Sequence, residues 1–369
     1  MPEVIYAVAA ALFIVRIILL SVGAHRERNR RIAPPYRFRP FVSVIIPARN
    51  EELRIAQCLL SIARSDYPPD RYEIIAVDDR SEDRTSAILR ECAVSIPNLR
   101  IVTLTEPRPE RNLRGKPGAL DAGISASTGE IILMTDADCI VPSGWIAAIA
   151  AQFDNSRVGL TASFTEIRPG NIFESMQAIE WTLTHSMALA GVGLRQPLGC
   201  FGNNLAVRRS VYEALGGFAG IRFSVTEDLA LLQAVFAAGH EIRYVCHKNA
   251  AVETAPCTTF GEYIRQHHRW ARGGLGLGWR ATVFIILSAT LAVSLAVAVY
   301  SEHYALLPLI VAIRAIGDNT IIYPSLRALN RTDLYFSSVY SVLFLMALEM
   351  FIPILALIPS VRWKGQIFR

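Results

Sequence analysis

The chain has 369 residues, of which 52% are hydrophobic, and a mean hydropathy of +0.33, which excludes a single soluble domain. Its net charge of +5 comes from basic residues that flank apolar segments, so the charge does not read as a nucleic-acid surface and no nucleic-acid partner is expected. The six cysteines (Cys58, Cys92, Cys139, Cys200, Cys246 and Cys257) show no C-x-x-C spacing, which argues against a zinc ribbon or a disulfide framework and predicts buried thiols in a reducing compartment.

Residues 4–22 form an apolar run interrupted only by Arg16, long enough to cross a bilayer at roughly 20 residues. Arg26, Arg28, Arg30, Arg31, Arg37 and Arg39 follow it. By the positive-inside rule this flank stays in the cytosol and the N-terminus lies outside. A cleavable signal peptide would carry its basic residues ahead of the apolar run, where this chain has only Glu3.

From residue 41 the pattern becomes α/β. Strand-like runs at 41–47, 73–77, 100–104 and 158–164 alternate with helical spacing at 51–64, 83–93, 118–126 and 145–153. Between the third and fourth of these helices lies E-I-I-L-M-T-D-A-D-C-I, residues 130–140, an apolar strand that delivers Asp136 and Asp138 at its carboxyl end. Such alternation predicts a doubly wound, mostly parallel sheet. In that architecture Asp78/Asp79 and Asp136/Asp138 share one sheet edge, the usual place for a ligand. Paired carboxylates there suit a hard divalent cation carrying a diphosphate, although D-x-D alone is equally a solvated turn.

Four stretches, V-S-V-I-I-P-A-R-N-E-E (42–52), V-D-D-R-S-E-D-R-T (77–85), G-K-P-G-A-L-D-A-G (115–123) and T-D-A-D (135–138), resemble family 2 of the inverting glycosyltransferases, whose fold is GT-A. T-E-D (226–228) and Q-H-H-R-W (266–270) are similar to motifs of its membrane-bound branch, which holds ceramide glucosyltransferases and the synthases of cellulose, hyaluronan and chitin-type polymers. Motifs matching in order are more specific than any one of them. Asp121 departs from the family, which more often has Asn there. The resemblance implies that Asp78 and Asp79, with Pro47, Ala48 and Glu51, hold the base and ribose of a nucleotide sugar. It further implies a phosphate contact from Lys116, Mg²⁺ or Mn²⁺ on Asp136 and Asp138, and donor contacts from Gln266, Arg269 and Trp270. Asp228 is the implied base, with Gly202, Asn203 and Glu227 on the acceptor side.

Several of these residues also have plain structural readings. Asp78 and Asp79 could cap the following helix, and Ser224 to Glu227 fits an S-x-x-E capping box ahead of a helix at 229–238. Gln266, Arg269 and Trp270 share one face of a helix starting near Thr259, which could simply lie in the membrane interface. Adjacent His267 and His268 cannot form a metal pair on one face and read as surface residues. Residues 171–194 read as an amphipathic helix with Trp181 and His185 at the membrane surface, followed by a turn-rich stretch at 199–204.

Three apolar segments close the chain at 281–300, 304–323 and 335–357, the middle one weakened by Arg314, Asp318 and Asn319. Two crossings would leave Arg362, Lys364 and Arg369 inside and three would leave them outside, so the parity stays open. The expected organisation is a transmembrane helix (1–24), a basic linker (25–40), a GT-A domain (41–257), an interfacial helix (258–280) and a region of two or three transmembrane helices (281–369). The expected function is inverting transfer from a nucleotide sugar, a UDP-sugar by expectation, to a membrane-embedded lipid or glycan. A processive polysaccharide synthase is the alternative, disfavoured by the few membrane segments. A catalytically dead scaffold or transport protein is the alternative of another class, and it has no need of Asp228.

Overall fold

The computed structural model describes residues 2–30, 38–108, 110–363 and 366–368. Arg31 and Arg37 of the basic flank, and Lys364 and Arg369, lie outside the described residues. In chain order the elements are α1 (Pro2–Arg28), β1 (Val42–Ala48), α2 (Ile55–Ala63), β2 (Tyr72–Asp79), α3 (Thr85–Ser95), β3 (Leu99–Leu104), α4 (Lys116–Ser125), β4 (Ile131–Met134) and α5 (Trp145–Ala150). There follow β5 (Val158–Ser163), β6 (Thr165–Ile167), α6 (Ile172–Gly193), β7 (Leu205–Arg208), α7 (Arg209–Ala214), α8 (Gly217–Gly220), α9 (Glu227–Ala237), β8 (Glu241–Val245) and β9 (Val252–Thr254). The last are α10 (Phe260–Gly274), α11 (Trp279–Tyr300), α12 (Leu307–Leu329), α13 (Tyr335–Tyr340), α14 (Val342–Leu357), β10 (Val361–Trp363) and β11 (Gln366–Phe368).

The chain divides into two compact units, one of Asn29–Glu166 and Gly199–Ala255, the other of Met1–Arg28, Ile167–Leu198 and Pro256–Arg369. Residues 167–198, inside the stretch 41–257, thus group with the apolar helices.

The first unit is built on a seven-stranded sheet in the order β3-β2-β1-β4-β7-β5-β8. Strands β1 to β4 are mutually parallel, β5 runs parallel to β8, and β7 is antiparallel to β4 and β5. The parallel strands are mostly apolar, as expected of a sheet covered by helices on both faces, and β2 and β4 are buried at every position. Helix α2 turns Ile55, Cys58, Leu59 and Ile62 inward at helical spacing, and these join the core formed by Val44, Ile46, Ile74 and Leu133. The sequence reading anticipated β1 to β5 and their helices but placed no strand at β7, which follows the irregular 199–204 stretch, or at β8, which follows α9; both are short.

In the second unit, α1 crosses α6 at very close range. A Cβ on Gly193 would strike the Gly23 carbonyl, and one on Gly23 would strike the Ala190 carbonyl, so only glycine fits at either site. Arg16 and the charges of the middle C-terminal segment find partners here. Arg16 pairs with Glu349 at 3.2 Å, Glu349 also takes Arg314 at 2.6 Å, and Arg314 reaches Asp318 at 2.6 Å. Among the described residues three helices, Pro2–Arg28, Trp279–Tyr300 and Tyr304–Leu329, are long and apolar enough to cross a membrane. The last expected segment is broken into Thr332–Tyr340 and Val342–Leu357, which meet at 66°.

Two expectations need correction in this unit. Helix α6 is not amphipathic: nearly every residue from 177 to 192 is buried, Trp181 and His185 included, because it is packed on α1 and α12. His267 is not a surface residue but is 2% exposed, its ring held by Tyr263 and Glu180. Of the cysteines, five are buried and Cys246 is half-buried.

Back in the sheet unit, Asn204 pins the 199–204 stretch. Its Nδ2 donates to the Phe164 and Ala250 carbonyls at 2.7 and 2.8 Å, and its Oδ1 accepts from Trp145 Nε1 at 3.0 Å. Each orphaned buried partner costs roughly 1–3 kcal/mol. Asn204→Ala is therefore expected to destabilise this unit by at least about 3 kcal/mol, lowering its melting temperature by roughly 6–12 °C. An unchanged thermal unfolding curve in detergent would contradict that role.

Candidate active site

Strands β2, β1 and β4 are neighbours and parallel, so their carboxyl ends open on one edge. Ala48 stands in register with Asp78, which brings Pro47 and Ala48 beside the first acidic pair. Asp78 and Asp79 close β2 as buried residues. Neither caps α3. Asp78 Oδ1 accepts from the Ser81 N–H at 3.1 Å, Asp79 pairs with Arg80 at 2.8 Å, and it is Asp83 that accepts from the Thr85 N–H at 2.9 Å.

The loops after β1 and β2 are laced together. Glu51 N–H donates to Thr85 Oγ1 at 2.8 Å, Glu52 N–H to Asp83 at 3.1 Å, and Glu82 N–H to Asn50 Oδ1 at 2.8 Å. Asn50 and Arg80, at the turns of these loops, have φ of 55° and 58°, a left-handed conformation that costs energy for residues other than glycine. The lacing holds that strain in place and presents Glu51 next to the second acidic pair.

Asp136 and Asp138 follow β4. Asp138 lies 3.8 Å from Arg54 Nη1 and 3.4 Å from Thr254 Oγ1. Burial, and the nearby carboxylates of Asp136 and Glu51, push its proton affinity above the ordinary carboxylate value, with Arg54 acting against them. Among the described residues no group of three or more His, Cys, Asp or Glu could hold a metal ion by itself. Two crowded carboxylates of hard oxygen type nevertheless fit a divalent cation that arrives with phosphate oxygens of its own.

Lys116 is the first residue of α4, placed there by Gly115 in a left-handed conformation (φ 74°). Its Nζ lies 2.6 Å from Asp136 Oδ1 and 3.3 Å from Glu227 Oε1. Burial alone would favour the neutral amine, but Asp136, Glu227 and Asp228 hold it well above its ordinary value, so Lys116 stays cationic. Next to Glu227, Asp228 accepts from the Gly202 N–H at 2.7 Å and from the Leu229 N–H at 2.8 Å. A Cβ at Gly202 would stand 3.3 to 3.4 Å from Lys116 Nζ, Glu227 Oε1 and Asp228 Cβ, so the backbone there approaches all three closely. Lys116, Asp136, Gly202, Glu227 and Asp228 form one cluster, and Asn203 beside it accepts from Thr165 Oγ1 at 2.9 Å.

The capping box expected at residues 224–227 does not form. Thr226 is the N-cap of α9 but its side chain makes no capping bond, Ser224 Oγ accepts from the Thr226 N–H instead, and Glu227 turns to Lys116. A box of that type stands at α10, where Thr259 Oγ1 accepts from the Glu262 N–H at 3.2 Å and Glu262 accepts from the Thr258 N–H at 3.1 Å. Gln266, Arg269 and Trp270 are carried by α10 in the other unit, with Trp270 packed on Trp181 and His267 at centroid distances of 5.4 and 4.9 Å. Sequence reasoning missed Arg54, Asp83 and Thr254 at the site; Arg54 was within reach, since it lies three residues after Glu51, just past the end of the 42–52 motif.

Residues 43–230, just over half of the chain, match the family described as Glycosyl transferase family 2. The chain belongs to this family. It is 31% identical over 242 residues to the beta-monoglucosyldiacylglycerol synthase of Trichormus variabilis, covering 64% of this chain and 49% of that protein. It is 32% identical over 240 residues to the probable glycosyltransferase YdaM of Bacillus subtilis, covering 63% and 55%. The chain thus spans about half the length of the curated relatives it matches. Among solved structures, the mannosyltransferase PcManGT from Pyrobaculum calidifontis, in complex with GDP-Man and Mn²⁺, is similar with a TM-score of 0.63 and 21% identity, covering 93% of this chain and 99% of that one. The fold is therefore the GT-A architecture that the motifs implied.

Proposed function

We propose that this family 2 member is a membrane-bound inverting glycosyltransferase that moves a sugar from a nucleotide sugar, a UDP-sugar, to a lipid acceptor in the bilayer. The observation that carries the reading is the single cluster in which Lys116 bridges Asp136 and Glu227 while Asp228 stands beside them. Donor-side and acceptor-side groups there are within one side chain's reach of each other. Pro47, Ala48, Glu51, Asp78 and Asp79 hold the base and ribose, and Lys116 meets a phosphate as a fixed cation. Gln266, Arg269 and Trp270 supply donors and a stacking face to the diphosphate. Asp136 and Asp138 would hold Mg²⁺ or Mn²⁺, which when bound offsets the charge of the departing diphosphate.

In the transfer step the acceptor hydroxyl oxygen forms a bond to the anomeric carbon from the face opposite the diphosphate. The carbon–oxygen bond to the diphosphate breaks, the diphosphate leaves with the electron pair, and the hydroxyl proton passes to Asp228. Gly202 and Leu229 N–H groups fix the carboxylate in direction. The lipid acceptor is supported by the diacylglycerol named in one relative and by the three apolar helices. On this reading 41–257 carries the chemistry, 1–24 and 281–369 hold it at the bilayer, and 258–280 lies along the interface.

Asp228→Asn is expected to lower transfer on the order of 10²-fold or more while donor affinity stays within a few-fold, on protein shown to be folded. Turnover near the unmutated rate would reject Asp228 as the base, and full activity in excess chelator would reject the divalent ion. The orientation proposed, with the sheet unit in the cytosol, predicts that a cysteine introduced at Arg30 escapes an impermeant thiol reagent in intact cells and reacts after lysis. Labelling in intact cells would contradict it.

A further inference from the structure

We infer that Glu180 on α6 and His267 on α10 form a buried carboxylate–imidazolium pair that positions the helix face bearing Gln266, Arg269 and Trp270. This rests on the proposal that the face meets the donor diphosphate. The side chains of Glu180 and His267 are 6% and 2% exposed. His267 Nδ1 is 2.8 Å from the Tyr263 carbonyl oxygen, which can only accept, so that nitrogen carries a hydrogen. Nε2 is 2.9 Å from Glu180 Oε1, and the other oxygen of Glu180 accepts from the Tyr263 hydroxyl at 2.8 Å. With a neutral ring and an ionised Glu180, the Nε2 lone pair would face a carboxylate lone pair in a buried site. A second ring hydrogen removes that conflict and lets every polar atom of the three side chains be bonded.

Burial works against the charged ring, yet Glu180 and the Tyr263 carbonyl together hold His267 above the ordinary histidine value. The titratable groups facing it are Glu180 from α6 and Tyr263 from α10 itself; His185 of α6 packs on the Trp181 ring, and α14 contributes the apolar Phe344 against Tyr263. The ring is then wedged between functional and structural aromatics. Its centroid is 4.0 Å from that of Tyr263 and 4.9 Å from that of Trp270, and Trp270 leans in turn on Trp181, the neighbour of Glu180 in sequence. Glu180 and His267 are positioning residues: they fix the rotation of α10, and with it the directions of the residues on either side of His267.

The test uses the full chain in detergent micelles or nanodiscs. In a ¹⁵N spectrum of the labelled histidine rings, one ring remains an imidazolium above pH 8, where exposed rings are neutral, and its signal disappears in His267→Asn. A spectrum in which every ring is neutral at pH 8 overturns the pair, and this measurement needs no variant to fold. Glu180→Gln raises the donor KM about tenfold with kcat changed less than threefold, and moves the alkaline fall of kcat/KM to lower pH by at least one unit. In an Arg269→Ala background the same substitution adds less than twofold, because its effect passes through that face. A full tenfold effect in that background overturns positioning. If Arg269→Ala alone leaves KM unchanged, the donor role of α10 fails and the positioning claim fails with it, while the histidine spectrum still decides whether the ion pair exists.

Discussion

The arrangement depends on keeping several carboxylates close together at one edge of a sheet. Asp136, Asp138, Glu51, Glu227 and Asp228 come from three separate stretches of chain, and the charges of Asp136 and Glu51, with burial, raise the proton affinity of Asp138. Lys116 is the internal answer, a buried cation tied to Asp136 and Glu227 and held charged by them. Arg54 serves Asp138 in the same way from the start of α2. These cations neutralise only part of the cluster, and the remaining affinity for positive charge is what the divalent ion of a metal-diphosphate would satisfy. The laced loops at Asn50 and Arg80 show the other half of the design, since backbone strain is held there by reciprocal bonds that fix where Glu51 points.

The apolar unit solves a related problem by internal pairing. Arg16, alone in an apolar run, is matched by Glu349, which lies 333 residues away, and Glu349 also pairs with Arg314, which is held on its own helix by Asp318. Burying one such charge without its partners would be prohibitive, and burying them together ties α1, α12 and α14 into one arrangement. The Glu180–His267 pair repeats the pattern between α6 and α10.

Much of the sheet was legible because parallel strands buried on both faces read as short, mostly apolar runs rich in Val and Ile, and because the acids stand just where those runs end. Strands β7 and β8 were not, since four or five residues carry no period long enough to separate strand from loop. The capping box was misread at residues 224–227 because spacing cannot tell whether Glu227 folds back on its own helix or reaches Lys116, which is 111 positions earlier in the chain. His267 was misplaced for a similar reason: its adjacency to His268 rules out a metal pair but says nothing about burial, and its partner lies 87 residues away. Local pattern marked the candidate residues, and pairing across the fold showed which partners each of them meets.

The central claim, that the edge formed by β1, β2 and β4 binds a metal-diphosphate through Asp136 and Asp138, is tested most directly by magnetic resonance of bound Mn²⁺. Mn²⁺ and a nucleoside diphosphate are titrated into the purified chain, and pulsed electron–nuclear double resonance is recorded. The account predicts ³¹P couplings of the size that direct phosphate coordination gives, and loss of Mn²⁺ affinity in Asp138→Asn protein that remains folded. Equal Mn²⁺ affinity in Asp138→Asn, or bound Mn²⁺ without ³¹P coupling, would contradict it.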